Sequence, residues 1–151
     1  MSFPFFAGYP SEADVNTKDK HGLTELHYVA MACNPKDLYS LLLRGADVNA
    51  KDSVGRTALH LAVLSTACPH IVAILIDEGA DTSLKDDVFK ETAFSFISYL
   101  YDDSHHKKIL EDAFHNYKKH VPKKLKAKVL RELQKQDDGF FSFFSFDSLF
   151  W

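Results

Sequence analysis

No apolar run in this chain approaches the ~20 residues that a membrane-spanning helix needs. The opening MSFPFFAGYPSEADVN has neither a basic start nor a long apolar centre, so it does not read as a secretory signal peptide. Cysteine is scarce. Small secreted domains usually carry several pairs, whereas this chain has only Cys33 and Cys68. The expectation is two free thiols in a reducing cytosol. The six glycines are scattered over turns, so no loop is rich enough in glycine to cradle a phosphate. The cysteines lack the paired Cys/His spacing of a zinc site. His105 and His106 are adjacent, so they point in different directions from a helix and cannot clamp one metal. No local Ser/His/Asp motif stands out. These absences argue against an enzyme, a cofactor or a resident metal.

A basic body is also missing. Residues 1–117 hold 10 Lys/Arg against 17 Asp/Glu, while residues 118–151 hold 8 against 4. Phosphate recognition needs a basic face on the folded body, so nucleic acid is not an expected partner.

What the chain has is repetition. ADVNTKDKHGLTELHYVA…LLLRG is followed by ADVNAKDSVGRTALHLAV…LIDEG. Ala13, Ala46 and Ala80 open successive units, 33 and then 34 residues apart. Recurrence at such a period marks a stacked repeat fold, whose units bury a continuous core only by packing on one another.

The phrases resemble the ankyrin repeat. The first unit supplies Gly22, Thr24, Leu26, His27, Leu41, Leu42, Gly45, Ala46, Asp47, Val48 and Asn49. The second supplies Gly55, Thr57, Leu59, His60, Leu75, Gly79, Ala80 and Asp81. The resemblance covers about residues 13 to 114 and implies an all-α solenoid of helix-turn-helix units with extended finger loops. It also makes His27 and His60 architectural, each meeting the threonine hydroxyl of its own motif. The units read as repeats over 13–45 and 46–79 and a degenerate third over 80–117. An N-terminal arm precedes them (1–12), and a basic helix (118–138) and a Phe-rich tail (139–151) follow.

Helices are expected near 24–32, 36–43, 57–65, 69–77 and 104–116, with Pro69 suited to a first helical turn. Asp37 and Ser40 stand where the second unit has Ile71 and Ile74, so the first outer helix is the more polar. In the third unit Lys90 occupies the place of the turn glycine, and Thr92-Ala93-Phe94-Ser95 loses the histidine. The aromatic arm, with Phe3, Phe5, Phe6 and Tyr9, is expected to cover the first unit.

The resemblance implies a partner protein held at the finger tips and the exposed positions of the first helices. By motif position these are Lys18, Lys20, His21, Leu23 and Met31 in the first unit. Lys51, Ser53, Val54, Arg56 and Leu64 serve in the second, and Asp87, Val88 and Tyr99 in the third. Leu23, Met31, Leu64 and Tyr99 form a candidate apolar stripe flanked by charge, a pattern suited to an interface.

After the repeats, Leu125, Val129, Leu130 and Leu133 make one apolar face of a helix otherwise rich in lysine. With Pro122 ahead of them they resemble the start of an F-box, as in ankyrin proteins of poxviruses and intracellular bacteria. Lys124 replaces the family's Glu, and there is no room for a full F-box. The segment has three readings: a helix closing the stack, a hook for a Skp-type ubiquitin-ligase adaptor, or a contact with an anionic membrane surface. If Leu125, Val129 and Leu130 pack against Ile109 and Phe114, the first reading is favoured. The ending FFSFFSFDSLFW looks like the short C-terminal signals that some bacterial export systems read. It points to a cytoplasmic protein or one delivered into a host cytosol.

Overall fold

The computed structural model describes residues 14–65, 68–102, 105–122 and 124–136. The N-terminal arm and the Phe-rich tail lie outside these residues. Eight helices follow in order among the described residues: α1 (Glu25–Ala32), α2 (Pro35–Leu43), α3 (Ala58–Ser65), α4 (Pro69–Asp77), α5 (Ala93–Leu100), α6 (His105–His115), α7 (Tyr117–His120) and α8 (Leu125–Gln136). There is no strand among the described residues, only an isolated antiparallel bridge between Lys85 and Thr92. The fold is an all-α solenoid. Inner helices α1, α3 and α5 stack in one row, and outer helices α2, α4 and α6 in a second.

The pairing follows from the sequence. Asn34 caps α2 by accepting the Asp37 N–H at 3.2 Å, and Pro35 fills the first turn, where a missing N–H costs nothing. Pro69 starts α4 in the same way. Leu26, Val29 and Ala30 of α1, Leu59, Ala62 and Val63 of α3, and Phe96 and Ile97 of α5 face the outer row. They meet Leu38 and Leu41 of α2, Ile71, Val72, Ile74 and Leu75 of α4, and Leu110 and Ala113 of α6 in one continuous core.

Gly22 is required by close approach to backbone, and Gly55 by its positive φ, since only the movable Asp87 carboxylate crowds it. A Cβ on Gly22 (φ +75) would lie 2.6 Å from the Ser53 backbone nitrogen, and one on Gly55 (φ +78) would lie 2.6 Å from the Asp87 carboxyl carbon. The third turn keeps the left-handed conformation with Lys90 at φ 58. A side chain there costs about 1–2 kcal/mol. Lys90→Gly is therefore expected to raise stability by about 0.5–1 kcal/mol, less than the full relief because glycine loses more entropy on folding. Urea unfolding of both chains checks this.

The structure corrects one expectation. Cys33 and Cys68 are not free thiols: they form a disulfide with their Cα atoms 5.9 Å apart. It joins the α1–α2 turn of the first unit to the α3–α4 turn of the second.

The C-terminal helix takes a definite place on the repeats. Val129 and Leu130 are buried, each 2% exposed, while Leu125, Leu133 and Pro122 are half-buried. Packing against Ile109 and Phe114 of α6 is the mark that would favour a closing helix; the face is buried, but on α2, and α7 lies on α4 and α6. The chain thus runs back along the outer row from the third unit to the first. Lys126 Nζ reaches Glu78 Oε1 at the end of α4 (2.5 Å), and Glu132 pairs with Lys36 at the start of α2 (2.9 Å). His70 donates from Nδ1 to the His120 carbonyl at 2.8 Å, and His120 donates from Nε2 to Asp112 at 2.7 Å. The physical reason is apolar burial: Val129 joins the continuous core, and Leu125 and Leu133 pack against it.

Candidate functional site

Each finger is organised by one aspartate. Asp19 accepts the N–H groups of His21 (2.8 Å) and Leu23 (2.9 Å). Asp52 accepts those of Val54 (3.0 Å) and Arg56 (2.8 Å), and its second oxygen accepts Arg56 Nε at 2.9 Å. Asp86 accepts those of Val88, Phe89 and Glu91 at 2.9–3.1 Å. Burial pushes the Asp86 carboxyl up, but the three N–H groups outweigh it and hold it below the usual carboxylate range. These acids serve the backbone and present little charge to a partner.

Successive fingers are tied in register. Ser53 N–H donates to the His21 carbonyl at 3.0 Å, and Asp87 N–H to the Val54 carbonyl at 2.9 Å. Lys18 Nζ donates to the Lys51 carbonyl (2.8 Å), and Lys51 Nζ to that of Lys85 (3.5 Å). Asn16 and Asn49 repeat a bridge at the finger base. Each donates to the glycine carbonyl that ends the unit, Gly45 and Gly79, and accepts from Asp47 and Asp81 respectively.

The histidines behind the fingers are fixed in one tautomer. His27 Nδ1 accepts the Thr24 N–H at 3.0 Å and lies 2.9 Å from Thr24 Oγ1, so its proton is on Nε2, which donates to the Arg56 carbonyl at 3.1 Å. His60 does the same with Thr57 and the Glu91 carbonyl. A second proton would set N–H against N–H. Burial, the largest cause, also pulls both pKa values below the ordinary histidine range. The sign of the pH effect follows. The unfolded chain takes up protons below about pH 6.5 while the folded chain does not, so stability is full above that pH and falls as pH drops toward the depressed folded values. Glu25 acts oppositely. Burial raises its carboxyl, and its Oε2 has no hydrogen-bond partner. His60→Asn is expected to lower the melting temperature at pH 7.5 and flatten its fall between pH 7.5 and 5.5. Calorimetry at several pH values tests this, and an unchanged slope would remove His60 as the titrating group.

Ser95 takes the histidine's place in the third unit. It caps α5 with Thr92 (Ser95 N–H to Thr92 Oγ1, 3.2 Å), its hydroxyl 3.0 Å from Thr92 Oγ1.

The expected partner-facing residues divide. Lys18, Lys20, His21, Ser53, Asp87, Val88 and Tyr99 are exposed, whereas Leu23, Met31, Lys51, Val54, Arg56 and Leu64 are half-buried. The four-member apolar stripe is therefore uneven, and Leu64 packs partly against the core. Among the described residues, exposed large hydrophobics gather instead on the third unit: Val88, Phe89, Tyr99 and Leu100. Phe89 was missed in the sequence. The available signal was one of length, since Lys85 to Thr92 holds one residue more than Lys51 to Thr57.

No group of three or more His, Cys, Asp or Glu among the described residues could hold a metal. A dish of about 560 Å³ opens on α6, lined by Phe94, Lys108, Glu111, Asp112, His115 and Asn116. Its carboxylate Asp112 is engaged by His120 and Asn116. No helix among the described residues is long and apolar enough to cross a membrane.

The family model of ankyrin repeats, in three copies, matches residues 5–86. No curated protein matches the chain.

Proposed function

The chain belongs to the ankyrin repeat family, and from that premise we propose that it holds a partner protein on its finger tips and inner helices. The observation that carries this reading is how completely the fingers satisfy themselves. Asp19, Asp52 and Asp86 take up the turn N–H groups, and the fingers bond to one another in register. Such a rigid row leaves Lys20, His21, Ser53, Asp87, Val88 and Tyr99 free to meet another surface without ordering cost.

The test is a cross-linked pull-down from eukaryotic lysate, read by mass spectrometry. A partner of this surface is retained by the wild type and by Arg131→Glu on α8, and lost from Lys20→Glu/Tyr99→Ser. A partner retained by all three binds elsewhere, and that result counts against the finger surface.

The ligase-adaptor reading rests on the spacing of Pro122, Leu125, Val129, Leu130 and Leu133. The burial of Val129 and Leu130 on the repeat body favours a clasp instead, because a Skp-type groove would need that face released. Delivery to a host cytosol rests on the tail sequence alone. In such a reducing compartment the Cys33–Cys68 bond would open.

A further inference from the structure

We propose that the C-terminal strap docks on an anionic lipid surface, through the outward cations of α8 and the Phe-rich tail that follows it. This goes beyond the protein-binding reading and does not depend on it.

Burial of Val129 and Leu130 decides which face of α8 is left outside. Lys124, Lys128, Arg131 and Lys135 all lie exposed. Their spacing is i, i+4, i+7 and i+11, so they form one line along the helix, opposite its apolar face. At 1.5 Å per residue that line is about 16 Å long. It works against the helix that bears it. Lys124 and Lys128, Lys128 and Arg131, and Arg131 and Lys135 are like-charge neighbours, which destabilise a helix. Lys124 also stands at the positive end of the helix dipole, with no acid in the first turn to offset it. A face that served solubility alone would intersperse both signs.

The acids nearby do not cancel this line. Glu132 pairs with Lys36, and Glu78 with Lys126. Lys36, and behind it Lys128 and Lys135, hold the Glu132 carboxyl below its ordinary range, so one carboxylate already serves three cations. Asp112 is engaged by His120 and Asn116, and Asp37 by the Asn34 amide. On the helices beneath the strap Asp77 and Glu111 remain. Against them stand the four cations of the line with exposed Lys118 and Lys119, none in an ion pair among the described residues. Asp137 and Asp138 follow α8, and residues 118–151 still hold 8 Lys/Arg against 4 Asp/Glu.

The tail sequence selects the anion. Residues 140–151 hold six phenylalanines, Leu149 and Trp151 with a single charge, Asp147. A cationic line beside an aromatic run supplies two signals for peripheral attachment: attraction to anionic headgroups, and apolar area for the acyl boundary. Tryptophan favours that boundary. A polynucleotide would use the cations and leave most of the apolar run unmet, and the acidic excess of residues 1–117 repels a long strand. Because α8 lies on α2 of the outer row, a chain attached in this way keeps its finger row free.

The experiment is sedimentation of the full chain with vesicles of phosphatidylcholine, alone or with about a third phosphatidylserine. Emission of Trp151, the chain's one tryptophan, reports on the tail. The expected result is binding to the phosphatidylserine vesicles only, with a blue shift of Trp151. Binding weakens between about 50 and 300 mM salt. Lys128→Gln/Arg131→Gln/Lys135→Gln lowers the affinity about tenfold or more, while the melting temperature holds or rises as the like-charge contacts go. Lys20→Gln/Lys85→Gln/Lys90→Gln removes as much charge from the fingers and leaves binding unchanged. Equal binding to phosphatidylcholine alone overturns the proposal, as does binding to neither vesicle. So does a triple α8 variant that binds like the wild type, or a finger variant that loses as much. An unmoved Trp151 overturns the tail's part and with it the choice of lipid. Equal displacement by a single-stranded oligonucleotide or by polyglutamate also overturns that choice, by exposing a general polyanion site.

Discussion

Leu130→Lys is expected to detach α8 from the repeat body. Leu130 is 2% exposed, and a buried Leu reduced even to Ala typically costs 2–5 kcal/mol. Lysine adds the cost of an ammonium with no partner in an apolar site, which the chain avoids by letting the helix go. Once detached, twelve residues lose their packing, and an isolated helix of that length is marginal in water. The expected result is lower helical ellipticity, a melting temperature several degrees lower, and fast amide exchange across 125–136. The ion pairs Lys36–Glu132 and Lys126–Glu78 do little to prevent this, since exposed pairs contribute little and are screened by salt. An adaptor hook predicts the reverse: unchanged ellipticity and melting, with only ligase recruitment lost. Circular dichroism on the one variant separates the two readings before any partner is known.

Reduction of Cys33–Cys68 is the second large effect. The bond closes a segment with a sequence separation of 35, and constraining the unfolded chain over that length contributes about 3–4 kcal/mol on the loop-entropy argument. With about 3–4 °C for each kcal/mol in a chain of this size, dithiothreitol or Cys33→Ser/Cys68→Ser is expected to lower melting by roughly 10 °C. A melting curve that ignores reductant would show that the two turns are held by packing alone. Because the bond joins neighbouring units, its loss falls on the first interface of the stack. The first unit should then exchange amides faster than the third.

Much of this was legible because repetition writes the same physics twice. The Thr-x-x-His spacing placed α1 and α3, and Pro69 marked the start of α4. Lys90 was identifiable as a substitute for glycine, and it does take a positive φ. Three things were not legible, the first two because they depend on proximity between segments far apart in sequence. The cysteines sit at equivalent turns, but only the packing angle of adjacent units decides whether their Cα atoms come within bonding distance. The apolar face of α8 was plain in the spacing of Leu125, Val129, Leu130 and Leu133, but nothing in that face names α2 as its target. Phe89 lay in a stretch whose alignment was settled at both ends, so the surplus residue between them passed unnoticed. The finger row was recognisable as a candidate surface; its apolar weight on the third unit emerged only with side-chain exposure.

Lys90 bears on how this array could change its length. Gly22 leaves a hollow that the backbone of the next finger fills at a distance no side chain would permit, and Gly55 leaves one that the Asp87 carboxylate fills. At the third turn Lys90 stands where the other two units have that glycine. A tandem copy of residues 46–79 placed between the first and second units would find a glycine on both sides and lengthen the row. The same copy grafted after the third unit would meet the Lys90 side chain, lack the histidine tether that Ser95 has replaced, and break the run of chain from α6 into α7. Growth by duplication is thus open in the interior and shut at the end.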